Sequence, residues 1–218
     1  YEYVMTESPD VRGIDVALMF SPSSFHIISH RSIRVTPLKD MRPTRDILYA
    51  NGLIINGDTL HVFVVHAPSR YGGERATRPY RMQVAATLAA AIDSIYSISP
   101  DAPILVAGDF NDYHDDPAPR SLYQHGLNNI TAQAKGCNGA QGTYKFMGEW
   151  RSIDHIMASP KMTERLMEAH IADLKFLLEE DEKYGGKMPL RTYHGFKYKG
   201  GYSDHLPLVA RFNLEVPE

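Results

Sequence analysis

The apolar residues of this chain fall into short runs, either alternating or continuous, broken by Gly, Pro, Asp and Asn. Such runs have the length and texture of strands rather than of long helices. Residues 15–20, 25–35, 47–55, 60–65 and 104–107 are rich in Ile, Val, Leu and Phe and predict strands. Asn56-Gly57-Asp58 separates two of them, and the freedom of glycine to take positive φ makes 47–55 and 60–65 an antiparallel hairpin. After Pro79 the period lengthens. Ala85, Leu88, Ala89, Ile92, Ile95 and Tyr96 recur at three- and four-residue spacing, which predicts a helix running to about Ser97 with Thr77 as its cap. Further along, the pattern predicts a short helix at 118–125, strands at 143–146 and 153–158, a helix at 162–170, an extended segment at 172–177 and a last strand at Leu208–Phe212. The stretch 179–201, rich in charge, Gly and Tyr, reads as a long surface loop able to carry substrate contacts.

Composition narrows the class. With 218 residues, 43% hydrophobic and 22% charged, the chain suits a single domain over 1–218 around one sizeable core. It has no apolar run approaching the roughly 18 residues of a membrane helix, so no transmembrane segment is expected. One cysteine, Cys137, excludes an intrachain disulfide and a zinc site of paired CxxC type, and leaves the compartment open. The balance of 23 Lys plus Arg against 26 Asp plus Glu, formally −3, disfavours stoichiometric binding to polyanions. It is compatible with an enzyme that visits a phosphate ester while a divalent metal neutralises its carboxylates. Nothing calls for an obligate protein partner. The start at Tyr1, with neither methionine nor signal core, leads us to expect a piece of a longer product. That product would be secreted or periplasmic if the preceding segment holds a signal peptide and cytoplasmic otherwise.

Four motifs carry chemistry. Gly108-Asp109-Phe110-Asn111-Asp112 follows the 104–107 run, placing polar groups just past the carboxyl end of a buried strand, where sites gather in such sheets. Tyr202-Ser203-Asp204-His205-Leu206-Pro207 sets an acid and an imidazole ahead of the last strand. Neighbouring side chains on a strand point oppositely, so Asp204 and His205 either have different tasks or lie in a turn. Asp suits a hard cation, and His a phosphoryl oxygen or a proton. Arg151-Ser152-Ile153-Asp154-His155-Ile156 puts an Asp into an apolar strand, where it needs a partner. His205 is the favoured one, with Arg151 or His155 as structural alternatives. Val65-His66-Ala67-Pro68-Ser69-Arg70 ends a strand in an imidazole and opens a run of cations, Arg70, Arg75, Arg78 and Arg81, suited to phosphate. Each motif alone also reads as an ordinary loop, cap or ion pair. Together they describe phosphoryl chemistry assisted by magnesium or manganese.

In order and character these motifs resemble those of the endonuclease/exonuclease/phosphatase superfamily, and Arg12-Gly13-Ile14-Asp15-Val16-Ala17-Leu18 resembles its early strand. The resemblance implies an α+β fold: a four-layer α/β/β/α sandwich of two mixed, largely antiparallel sheets, with its amino-terminal part lying before Tyr1. It implies His66, Asp109, Asn111, Asp154 and His205 as catalytic residues. Asp109 would activate water or hold metal, Asn111 would orient the phosphate, and His205, paired with Asp154, would meet or protonate it. His66 would hydrogen-bond the phosphate, steadied by Asp46. Asp204 and Asp109 would hold Mg2+ or Mn2+, and Arg45, Arg70 and Asn111 would bind substrate. Family members also carry an Asn and a metal-binding Glu ahead of the segment matching 12–18. The first eleven residues show neither motif, so both are expected outside the chain. The implied substrate is a phosphate ester: a nucleic acid, an inositol phosphate or a lipid headgroup. An extended basic groove would mark a nuclease, and a pocket gathering Lys183, Lys187, Arg191, Lys197 and Lys199 an inositol phosphatase. The competing reading is a non-catalytic binding or scaffold domain that has lost the amino-terminal metal ligands.

Overall fold

The structure, a computed structural model, describes residues 1–214. In chain order the first part comprises β1 (Glu2–Met5), β2 (Ala17–Phe20), β3 (Phe25–Ile33), β4 (Ile47–Ile54), β5 (Thr59–His66), α1 (Glu74–Tyr96), β6 (Ile104–Asp109), α2 (Pro117–Tyr123) and β7 (Asn128–Asn129). The second part comprises β8 (Tyr144–Phe146), β9 (Glu149–Arg151), β10 (Asp154–Ala158), α3 (Pro160–Glu164), β11 (Leu166–Ile171), β12 (Leu178–Glu180), β13 (Lys187–Pro189), β14 (Tyr193–His194), β15 (Lys197–Tyr198) and β16 (Leu208–Phe212).

A six-stranded mixed sheet in the order β3-β4-β5-β6-β10-β7 forms the frame. The β4–β5 hairpin pairs antiparallel around the Asn56–Gly57 turn, as the sequence predicts. Strands β5 and β6 are parallel, joined through α1, and β10 returns antiparallel beside β6. Period-2 alternation gives this sheet two apolar faces. Ile47, Phe63, Val65, Ile104 and Val106 pack on the α1 side against Val84, Leu88 and Ile92. Ala50, Ile54, Leu60 and Ala158 face the other way, onto Leu18 and Phe20 of β2 and Phe212 of β16. The pairs β1–β2 and β11–β16 thus cover the second face.

Three expectations need correction. Helix α1 begins at Glu74, before Pro79, and Thr77 lies inside it rather than capping it. The extra turn is held by Thr77 Oγ1 donating to Gly73 O at 2.9 Å and by the Arg78–Glu74 pair at i, i+4. The predicted helix at 162–170 is largely a strand: α3 ends at Glu164, and β11 pairs antiparallel with β16. A partner strand outweighs local spacing: Met162, Leu166 and Ala169 fit the helical period, yet the ladder offered by β16 takes Leu166–Ile171 as a strand. The segment at 172–177 turns into a 3-10 helix at Lys175–Leu177 instead of remaining extended. Within 179–201 the chain forms the short β12–β13 ladder and the β14–β15 hairpin, fastened to β8 by the buried Lys145–Asp181 pair at 2.8 Å.

Candidate active site

Three strand ends meet at one edge of the large sheet. His66 on β5 lies beside Asp109 on β6, and Asp109 beside Asp154 on β10, in one row of paired residues. Neighbours across strands share a face. All three side chains therefore emerge on the face turned toward β2 and β16. The chain can hold this row because position 108 is glycine. Gly108 has φ +148°, and a Cβ there would lie 1.9 Å from the carbonyl oxygen of Val65.

Just past β6, Asn111 adopts a left-handed conformation, φ 50°, which Asn tolerates better than most residues. Its backbone N–H donates to Asp109 Oδ1 at 2.7 Å, and its Nδ2 donates to Asp109 Oδ2 and to Ala67 O, both at 3.0 Å. Asn111 thus fixes both oxygens of the acid it follows. His205 arrives from the loop before β16, and its Nδ1 pairs with Asp154 Oδ2 at 2.8 Å. The expected Asp154–His205 partnership is present. The alternatives are not realised: His155 is buried with Nε2 on Asp112 O, and Arg151 turns to Tyr113 and Glu149. Thr143, buried and unforeseen from the sequence, donates its hydroxyl to the same Asp154 Oδ2 at 2.5 Å.

The environment separates the titrating groups. Burial, reinforced by the charge of Asp154, pushes Asp109 up to about 7. Burial with the positive charges of Arg45 and Arg12 lowers His66 to about 4, so it is neutral near pH 7. For His205 burial opposes the charged form, but the Asp154 hydrogen bond and the charges of Asp154, Asp109 and Asp204 outweigh it and raise the imidazole to about 8. Near neutrality the site combines a carboxyl poised between its two forms, a neutral imidazole and an imidazolium.

Asp109, Asp154 and His205 each offer a donor atom within 4.8 Å of the others. A protonated His205 cannot ligate a cation, which leaves the two carboxylates. Their oxygens suit a hard divalent ion such as Mg2+, which takes one or two carboxylates and fills its shell with water and substrate oxygens. Their mutual repulsion, visible in the raised Asp109, is what a cation relieves. The donor set therefore fits the metal.

The remaining expected residues sit elsewhere. Asp204 is exposed and lies outside that three-residue group; its charge acts on His205. Arg45 is a correction to the expected substrate contact. It is buried, and its guanidinium donates to His66 O, Ala67 O and Asp10, so it braces the end of β5 from beneath. Asp46 faces Arg34 at 3.3 Å rather than steadying His66. The arginine run after His66 is mostly structural: Arg81 is fully buried on Asp112 at 2.7 Å, and Arg78 pairs with Glu74. Arg70 alone of that run reaches the site, donating to Asn111 O at 2.8 Å and lining a cavity of about 600 Å³ beside His205 and Asn111. Tyr113, Tyr144, Phe146 and Arg151 share that lining. Lys187 and Lys199 pair with Glu180 and Glu179, and none of Lys183, Lys187, Arg191, Lys197 and Lys199, the cations that would mark an inositol phosphatase, is among the residues that line the cavity.

Residues 1–213 match the model of the Endonuclease/Exonuclease/phosphatase family. No curated protein matches the chain in sequence. Among solved structures, the chain is similar to a mannosyl-6-phosphatase of Bacteroides thetaiotaomicron, with TM-score 0.67, 15% identity and coverage of 98% of this chain and 77% of that one. It is similar also to an endonuclease/exonuclease/phosphatase family protein of the same organism, with TM-score 0.65, 15% identity and coverage of 98% and 76%. The human Nocturnin catalytic domain, solved with a bound sulfate anion, matches with TM-score 0.60, 18% identity and coverage of 97% and 72%. At these identities the likeness is one of fold.

Proposed function

Since the chain belongs to the endonuclease/exonuclease/phosphatase family, we propose that it hydrolyses a phosphate ester with the help of Mg2+ or Mn2+ held by Asp109 and Asp154. The observation that carries this reading is the row His66–Asp109–Asp154 at one sheet edge, closed by the 2.8 Å His205–Asp154 bond. A bound divalent ion would supply Lewis-acid stabilisation of charge on the phosphoryl oxygens. The protein's own groups do the rest. Asp109 takes a proton from the attacking water as the ester P–O bond breaks. His205, kept charged by Asp154, donates to a non-bridging phosphoryl oxygen, where negative charge builds. Neutral His66 offers a second hydrogen bond from the opposite flank of Asp109. Asn111 holds the acid in place, both hydrogens of its Nδ2 being spent on Asp109 Oδ2 and Ala67 O. The phosphatase activity in the name of one structural neighbour agrees with this chemistry. In the same reading β1–β2 and β11–β16 belong to the second sheet of a four-layer sandwich.

The test is hydrolysis with magnesium or manganese and again with EDTA, read as nitrophenol from bis(p-nitrophenyl) phosphate, phosphate from inositol phosphates and nicked or linear product from plasmid DNA. Turnover of at least one substrate that EDTA abolishes is expected. No metal-dependent turnover of any of them would return the chain to the non-catalytic, binding-only reading.

A further inference from the structure

The loop between β1 and β2 holds an arginine that the fold itself does not need. Arg12 lies on a turn closed by Gly13 N–H donating to Asp10 O at 2.9 Å, and Asp15 ties the loop further by accepting from Thr6 Oγ1 at 2.9 Å and from Ser8 N–H at 2.6 Å. Asp10, its side chain 4% exposed, is gripped by two guanidinia: Arg12 donates to it through Nε and Nη2, each at 3.1 Å, and Arg45 through Nη1 at 2.9 Å. The Arg12 bonds, helped by that of Arg45 against the cost of burial, hold the Asp10 carboxyl well below the ordinary carboxylate range. One carboxylate between two guanidinia leaves one positive charge.

The two arginines are not equivalent. Arg45 is 3% exposed, and its remaining donors go to the carbonyls of His66 and Ala67, so it already gives Asp10 a buried counter-ion and ties it to the end of β5. Arg12 is 57% exposed on the same carboxylate. Two of the five N–H donors of its guanidinium face Asp10, and among the described residues no other group takes the Nη1 edge. A guanidinium fixed side-on by one carboxylate presents that edge as a fork for the oxygens of an anion. Through Asp10 and Arg45 the fork is fastened to the strand end that carries His66, on the flank of Asp109 away from β10 and His205. Its charge is felt there: burial, then Arg45, then Arg12 hold His66 below its ordinary value. The cations around the cavity stand on the other flank. Arg70 is paired with Asp112 and Asp116, Arg151 with Glu149, and Arg191 lies over Tyr144 with Nη2 spent on Lys145 O.

A phosphoryl group under in-line attack has three equatorial oxygens over which its charge is spread. His205 meets one of them from the β10 side and His66 another from the β5 side. In a diester the third position carries the retained ester group; in a monoester it is an anionic oxygen. Resting on the phosphoesterase reading, we propose that Arg12 is a substrate-binding residue whose free edge takes this third oxygen, and that it thereby sets a preference for phosphate monoesters over diesters.

The esters p-nitrophenyl phosphate and bis(p-nitrophenyl) phosphate share a leaving group and differ in the charge at that third position. With magnesium or manganese at pH 8, above the second ionisation of a phosphate monoester at about 6, the parent should turn over the monoester with the higher kcat/KM. Arg12→Gln should cut kcat/KM for the monoester by about 10- to 100-fold, the range of a hydrogen bond to a charged group, and leave that for the diester within about threefold. Both rates are taken on one sample, so any loss of folded protein cancels in their ratio, and a purely structural Arg12 would leave the ratio unmoved. A parent that cleaves the diester faster than the monoester, or a ratio that Arg12→Gln shifts by less than about threefold, would overturn the assignment and leave the phosphoesterase reading standing. If the parent hydrolyses neither of these esters, nor inositol phosphates, nor plasmid DNA, the underlying reading fails instead.

Discussion

At the scale of single residues, the site divides by protonation state. His205 is charged below about 8, so kcat/KM should fall as pH rises through that value. Asp154→Asn removes the hydrogen bond and the charge that hold the imidazolium. The alkaline limb should then move down toward or below the ordinary 6.5, a shift a merely structural Asp154 would not cause. Asp109 makes the opposite demand. Its folded value, about 7, stands above the ordinary 3.8, so the unfolded chain loses this proton first. Folding is therefore penalised progressively as pH rises between those two values, and fully above the upper one. Asp109→Asn should accordingly melt higher than the parent near pH 8 in EDTA, by about 2–4 °C for each kcal/mol relieved, and equal it near pH 4. The same variant should lose activity by about a thousandfold, as should His205→Ala. Much of this was legible beforehand, because Asp109, Asn111, Asp154 and His205 each stand where an apolar run starts or stops. What the sequence could not show was where counterions would come from. Arg45 and Arg81 are ordinary arginines until Asp10 and Asp112 fold against them. Thr143 gives no sign, before folding, that it will share an oxygen of Asp154.

At the scale of elements, the hairpin β4–β5, strand β6 and strand β10 follow from apolar texture and turn residues, since each buries at least one full face in a core. Elements whose apolar content is ambiguous went otherwise. Strand β11 exists because β16 offers it a ladder, and β12 to β15 are too short and too polar to announce themselves. Helix α1 runs through its proline although Pro79 lies past the first turn and forgoes an interior N–H bond; Thr77 Oγ1 on Gly73 O and the Arg78–Glu74 pair hold the turn before it. Gly108 governs how β6 meets β5. Gly108→Ala drives a methyl group into the Val65 carbonyl from a φ that alanine avoids, and should destabilise the fold by about 2–4 kcal/mol in denaturant titration. Activity should drop further than that loss alone explains, because Asp109 is the next residue.

At the scale of the molecule, metal binding and folding are linked. An ion held at a hundredfold excess over its Kd adds about 2.7 kcal/mol of stability, so magnesium or manganese should raise the melting temperature and EDTA should reverse the gain. Protons compete for Asp109, so the gain should be larger at pH 8 than at pH 6, and a pH-independent shift would tell against this carboxylate as a ligand. The row His66, Asp109, Asp154 has one more implication. Parallel β5 and β6 must stop, and antiparallel β10 must start, on the same count for the groups to meet. A slip of one residue in β10 would keep its hydrogen bonds in number yet turn Asp154 toward the helices. Turnover is thus a proofreader of strand alignment: refolded protein with a native far-ultraviolet spectrum but no catalysis would be a population in which the ladder closed one rung out of step.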